Sequence, residues 1–169
     1  MTPTPPPSPP PVLHMVCGKI GAGKSTLTRR LAQAPATVCI SEDTWLAALY
    51  PGEIHALPDY VRAAGRLKQA MGEHVCALLG AGVSVVLDFP ANTVSHRAWA
   101  RGLFEQAGAA HQLHFLDVPD EVCKARLRAR NAAGASVERA GSMCIGAQLT
   151  DRGGSRGSLP RPWAVRSGG

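Results

Sequence analysis

Eight consecutive residues, Gly18-Lys19-Ile20-Gly21-Ala22-Gly23-Lys24-Ser25, have the types and spacing needed to hold phosphate. They match G-x-x-x-x-G-K-[ST] in full. Glycines let successive backbone amides converge on phosphate oxygens, and a helix beginning just after them turns its partly positive amino end to the same anion. Lys24 is suited to neutralise β- and γ-phosphate charge and the Ser25 hydroxyl to sit on Mg²⁺, while backbone amides as far as Thr26 complete the cradle. The ligand this chemistry implies is a nucleoside triphosphate with Mg²⁺, ATP before others, since no Asn-Lys-x-Asp guanine-reading motif occurs. The plainer alternative is a glycine-rich turn with no ligand.

Other side chains could complete a transfer site. Asp88 ends an apolar run and suits an acid that reaches Mg²⁺, or a simple turn residue. Asp43 follows a second apolar run by three residues, close enough to face an incoming hydroxyl and accept its proton. Glu42 is its rival, and Asp43 could instead cap a helix beginning near Thr44. Arg126 and Arg130, four apart, share a helix face and could stabilise charge on a transferring phosphoryl group; a solvated basic face is the alternative. His111 and His114 would face opposite sides of a strand, which argues against a metal pair and for surface or core positions. Trp45, Trp99 and Tyr60 could stack on a base, but such scattered aromatics more often form core or substrate wall.

The elements that must position these groups alternate along the chain. VLHMVC (12–17) reads as a buried parallel strand, and Ser25 to Gln33 as a helix with Leu27 and Leu31 one turn apart. Strands follow at 37–40, 83–87 and 112–116. A long helix opens at Pro58, with Val61, Ala64, Leu67, Met71, Val75 and Leu78 on one face, and stops at Gly80 and Gly82. Further helices are expected at 94–107 and 119–131. This alternation implies an α/β sandwich with a mostly parallel sheet and helices on both faces. Residues 1–11 form a proline-rich arm, expected to be disordered; residues 12–135 the globular domain; and residues 136–169 a Gly/Arg/Ser-rich tail, also expected to be disordered, with 143–149 a weak strand candidate.

The chain has 169 residues, 45% of them hydrophobic, enough for one domain with a core. Its net charge of +6 does not single out nucleic acid, because five arginines against two acids in the tail supply half of that excess. Nucleic acid stays possible as a partner without being indicated. Five cysteines with no Cys-x-x-Cys pair read as reduced, mostly buried thiols. No apolar run approaches the roughly 18 residues that cross a bilayer, and no basic-then-apolar leader opens the chain, so a cytoplasmic protein without membrane contact is expected.

GKIGAGKST, ISEDTW, VVLDFPANT and FLDVPDEVCKARLRARN, each placed after a successive strand, together resemble the small P-loop kinase-like proteins called AAA-family ATPases or predicted kinases. Zeta toxins, chloramphenicol phosphotransferase, polynucleotide 5′-hydroxyl kinases and gluconate kinase are wider kin. The resemblance spans residues 12–131. It implies an adenylate-kinase-like fold with five parallel strands in the order 2-3-1-4-5, Asp43 as the acceptor-side acid, and Arg126 and Arg130 as lid arginines. The implied activity is transfer of the γ-phosphate of MgATP to a hydroxyl acceptor of unspecified identity. The rival is a nucleotide-binding or ATP-hydrolysing module that phosphorylates no acceptor. The chain departs from its kin after the lid: where a fifth strand should follow, it carries the Gly/Arg/Ser tail, an atypical or truncated C-terminus that leaves that strand doubtful.

Overall fold

The computed structural model describes residues 9–132 and 164–166. β1 (Val12–Gly18) leads through the glycine-rich loop into α1 (Lys24–Leu31), and β2 (Thr37–Ser41) runs directly into α2 (Glu42–Leu49). The long α3 (Leu57–Gly80) precedes β3 (Ser84–Asp88), α4 (Val94–Ala107), β4 (Ala110–Leu116), α5 (Asp120–Ala132) and β5 (Ala164–Arg166). Every strand pair is parallel and the order is β2-β3-β1-β4-β5.

The order puts β1 at the centre of the sheet, so its carboxyl end, and the glycine loop after it, opens between β3 and β4. Crevices of this kind at strand carboxyl ends are where open α/β sheets bind ligands. Alternation along the strands divides the core. Leu13, Met15, Val85, Leu87 and Leu113 are at most 2% exposed and share one apolar cluster with Leu67, Val75 and Leu79 of α3 and Leu103 and Phe104 of α4. His14, Val16, Val86 and His114 alternate onto the opposite face.

The helix boundaries follow local chemistry. Pro58 stands in the first turn of α3, where its missing N–H costs nothing, and the Asp59 carboxylate accepts the Ala56 N–H at 3.2 Å. Thr93 Oγ1 accepts the His96 N–H at 3.2 Å to open α4, and Gly108, in the left-handed region at φ 62°, closes it.

Three expectations are corrected. The apolar face of α3 is broader than expected and differs at one member: Ala64, Leu67 and Val75 are buried and Met71 and Leu78 partly so, but Val61 is 52% exposed, and Tyr60, Ala63 and Leu79 are buried as well. Spacing alone could not separate these stripes, because Tyr60 turns inward to meet a buried acid described below. Second, the sheet has a fifth strand. Ala164–Arg166, within the tail expected to be disordered, pairs with Leu113–Phe115 of β4. Three residues in a Gly/Arg/Ser context carry no strand signal of their own; β4 supplies the pairing groups. Third, Cys39 on edge strand β2 is exposed, whereas Cys17 and Cys123 are buried as expected. The strand candidate at 143–149 lies outside the described residues. No helix among the described residues is long and apolar enough to cross a membrane.

Candidate active site

The loop from Gly18 to Gly23 is held from several sides. Asn92 Oδ1 accepts the Gly18 N–H at 3.1 Å and the Cys17 thiol at 3.3 Å, tying the end of β1 to the turn after β3. Lys24 Nζ donates to the carbonyls of Gly18 (2.7 Å) and Lys19 (2.9 Å), so its ammonium lies across the loop mouth. Burial pulls the Lys24 pKa down, opposed by attraction to Asp88 and other negative groups nearby, Asp43 among them. The Ala22 N–H turns back to Lys19 O at 3.2 Å. Gly23, at φ 99°, precedes the first turn of α1, whose Thr26 and Leu27 N–H groups donate to Gly23 O at 3.1 Å. The amino end of α1 therefore points into the loop, with Ser25 exposed in its first turn.

Two carboxylates stand beside that ammonium. Ser41 is in register with Asp88 across β2 and β3, so Asp43, two residues on, rises next to Asp88 above the carboxyl edge of the sheet. Burial raises the Asp88 pKa first and repulsion by Asp43 adds to it, while Lys24, the Thr28 hydroxyl and Arg29 pull it down. Asp43 is exposed and is the second residue of α2. It does not cap that helix: α2 begins at Glu42, and Ser41 holds the capping position.

Glu42, the sequence rival of Asp43, is a structural group instead. It is 1% exposed; its Oε1 accepts the hydroxyl of buried Tyr60, and its Oε2 lies 3.8 Å from Lys68 Nζ. Burial raises its pKa, against the pull of Tyr60 and Lys68. The pair fastens the start of α2 to α3, and thereby fixes the turn that carries Asp43. Tyr60 is thus a core residue. Trp99 tilts against Phe89 with ring centroids 5.6 Å apart, and Trp45 is 39% exposed on α2.

α5 runs along the loop. Lys19 pairs with Asp120, the Cα and carbonyl of Cys123 pack on Gly21, and Arg126 Nη1 donates to Ala22 O at 3.3 Å. Arg126 therefore reaches the loop; Arg130, one turn further on, is exposed. The histidines separate as expected. His111 stacks on Phe104, and buried His114 Nε2 lies 3.1 Å from His14 Nδ1 on the neighbouring strand.

Sequence reading missed Asn92, Lys68 and Asp120. Asn92 sits four residues after Asp88 and could have been suspected from that motif; Lys68 and Asp120 carry no local signal, since tertiary packing alone gives them their partners.

Residues 13–150 match the family model described as an AAA domain, most of the chain. No curated protein matches the sequence. Solved structures do match the fold. A provisionally named kinase of Chloroflexus aurantiacus superimposes with a TM-score of 0.65 at 20% identity, over 94% of this chain and 89% of that one. A sugar kinase of Janibacter sp. gives 0.60 at 20% identity over 93% and 84%, and the Mycobacterium tuberculosis APS kinase CysC with AMPPNP and APS gives 0.57 at 19% over 95% and 90%. At these identities the likeness is one of fold. The chain belongs to this AAA-domain family, with the α/β fold of small P-loop kinases.

Proposed function

We propose that the protein is an ATP-dependent phosphotransferase that moves the γ-phosphate of MgATP to a hydroxyl-bearing acceptor. One observation carries the reading: a glycine loop on the central strand, a lysine across its mouth, a carboxylate at the end of β3 and another in the first turn of α2 meet at one edge of the sheet. The loop amides from Gly18 to Ser25 with Thr26, helped by the amino end of α1, hold the β- and γ-phosphates, and Lys24 exchanges its two carbonyl partners for phosphate oxygens. The residues fit Mg²⁺: Ser25 and Asp88 offer hard oxygen ligands, and the crowding of Asp88 by Asp43 is relieved by a cation. No group of three His, Cys, Asp or Glu side chains among the described residues could cage a metal, which suits an ion that arrives with phosphate ligands. When bound, the ion offsets charge on the β- and γ-oxygens.

Asp43 orients the acceptor hydroxyl and takes its proton as the acceptor oxygen bonds to the γ-phosphorus and the bond to the β-phosphate oxygen breaks, releasing ADP. Arg126 and Arg130 stabilise charge on the group in flight; Arg126 leaves Ala22 O to do so. The names of the kinase neighbours support a small hydroxylated acceptor such as a sugar. The test is a screen for acceptor-dependent ADP release. Asp43→Asn is expected to lower turnover roughly 100-fold or more, the scale of a lost general base, with nucleotide affinity unchanged. ATP hydrolysis that no acceptor stimulates and Asp43→Asn does not change would overturn the transferase reading.

A further inference from the structure

The contacts between α5 and the glycine loop follow a pattern that nucleotide binding does not by itself require. Residues 120, 123 and 126, one per successive turn, meet loop residues 19, 21 and 22 in the same order. Gly21 is so close to α5 that a Cβ there would lie 2.7 Å from Cys123 O. The side chain of Lys19 reaches away from the loop: its ammonium pairs with Asp120, the first residue of α5, and donates to Val118 O, in the β4–α5 connection, at 3.5 Å. The Lys19 carbonyl meanwhile accepts both the Lys24 ammonium and the Ala22 N–H. A single residue thus joins the phosphate lysine, the turn of the loop and α5.

We propose that Lys19 and Asp120 are positioning residues, which hold the loop against α5 in its phosphate-binding shape before nucleotide arrives. The Lys19 side chain serves as a strap and leaves phosphate contact to its backbone and to Lys24. This role rests on the functional reading above. A preorganised loop loses less freedom on binding, so removing the strap weakens nucleotide without removing any group that touches it. Both side chains are more than half exposed, so salt screens the pair and its effect is modest.

The test is the Kd of MgATP and of ADP for the full chain, at low salt and near 1 M salt, with Asp120→Asn, Lys19→Met and the swap Lys19→Asp with Asp120→Lys. Hydrogen exchange of the loop amides is followed in the ligand-free chain. Either single change is expected to weaken both nucleotides about threefold to fivefold at low salt, to speed loop exchange, and to lose its effect at high salt, with the swap restoring most of the affinity. Parent-like affinity and exchange in Asp120→Asn would overturn the strap alone. Loss of affinity in Lys19→Met but not in Asp120→Asn would mean that Lys19 acts on phosphate directly, and overturns it too. Absence of Lys24-dependent binding in the parent chain would overturn the functional reading together with the strap.

Discussion

Gly21 carries no side chain because none fits. Its φ of 77° lies where a Cβ is strained, and the Cβ would press on the Cys123 carbonyl, a backbone atom that cannot rotate away. Gly21→Ala is therefore expected to cost about 1–3 kcal/mol of stability and to misplace the loop. A urea midpoint equal to the parent's would contradict this. Position 21 is one of the four that the motif leaves unspecified, so the requirement for glycine there, close approach of α5, is tertiary and invisible in sequence. The two acids in ISEDTW show the same limit. Glu42 and Asp43 are adjacent and chemically alike; only the strand direction into α2 decides that Glu42 turns into the core and Asp43 stays at the surface.

At the scale of elements, Glu42 fixes how α2 and α3 meet the sheet. Glu42→Ala would leave the Tyr60 hydroxyl and the largely buried Lys68 ammonium without their partner, a loss of about 3–5 kcal/mol, much of the stability of an ordinary domain. Glu42→Gln keeps an oxygen for Tyr60 and should cost about 1–2 kcal/mol. Denaturant unfolding of both checks the order, and equal losses would contradict it. Four of the five strands and four of the five described helices were legible in sequence, because runs of apolar residues and their glycine and proline boundaries report local structure; α2 entered only as a helix near Thr44 that Asp43 could cap. The first turn of the α3 face was not legible, since Tyr60 and Val61 are neighbours and a buried acid on another helix chooses between them. Nor was β5, whose three residues gain their strand geometry from pairing with β4.

At the scale of the whole molecule, burial leaves a pH signature. His14, His96 and His114 all have pKa values lowered below 6.5, with desolvation the largest cause in each. Well above pH 6.5 they are neutral whether the chain is folded or not and cost nothing; as pH falls toward and through 6.5 the unfolded chain takes up protons that the folded chain resists, so stability falls. The raised pKa values of Glu42 and Asp88 act oppositely: protonating them relieves the fold as pH drops toward the carboxylate range. Between pH 7.5 and 6 the histidines should govern, and Tm should decline in the parent and decline less with His14 and His114 both changed to Gln; a Tm that rises over that interval would contradict the assignment. The central claim, that the loop on β1 holds a nucleoside triphosphate, is tested most directly by titrating the full chain with a fluorescent ATP analogue and Mg²⁺ beside Lys24→Ala. Saturable, ATP-competed binding is expected, weakened roughly 10- to 100-fold by Lys24→Ala, the scale of lost charge-assisted hydrogen bonds. Binding of equal strength in the two proteins, or none in the parent, would contradict it.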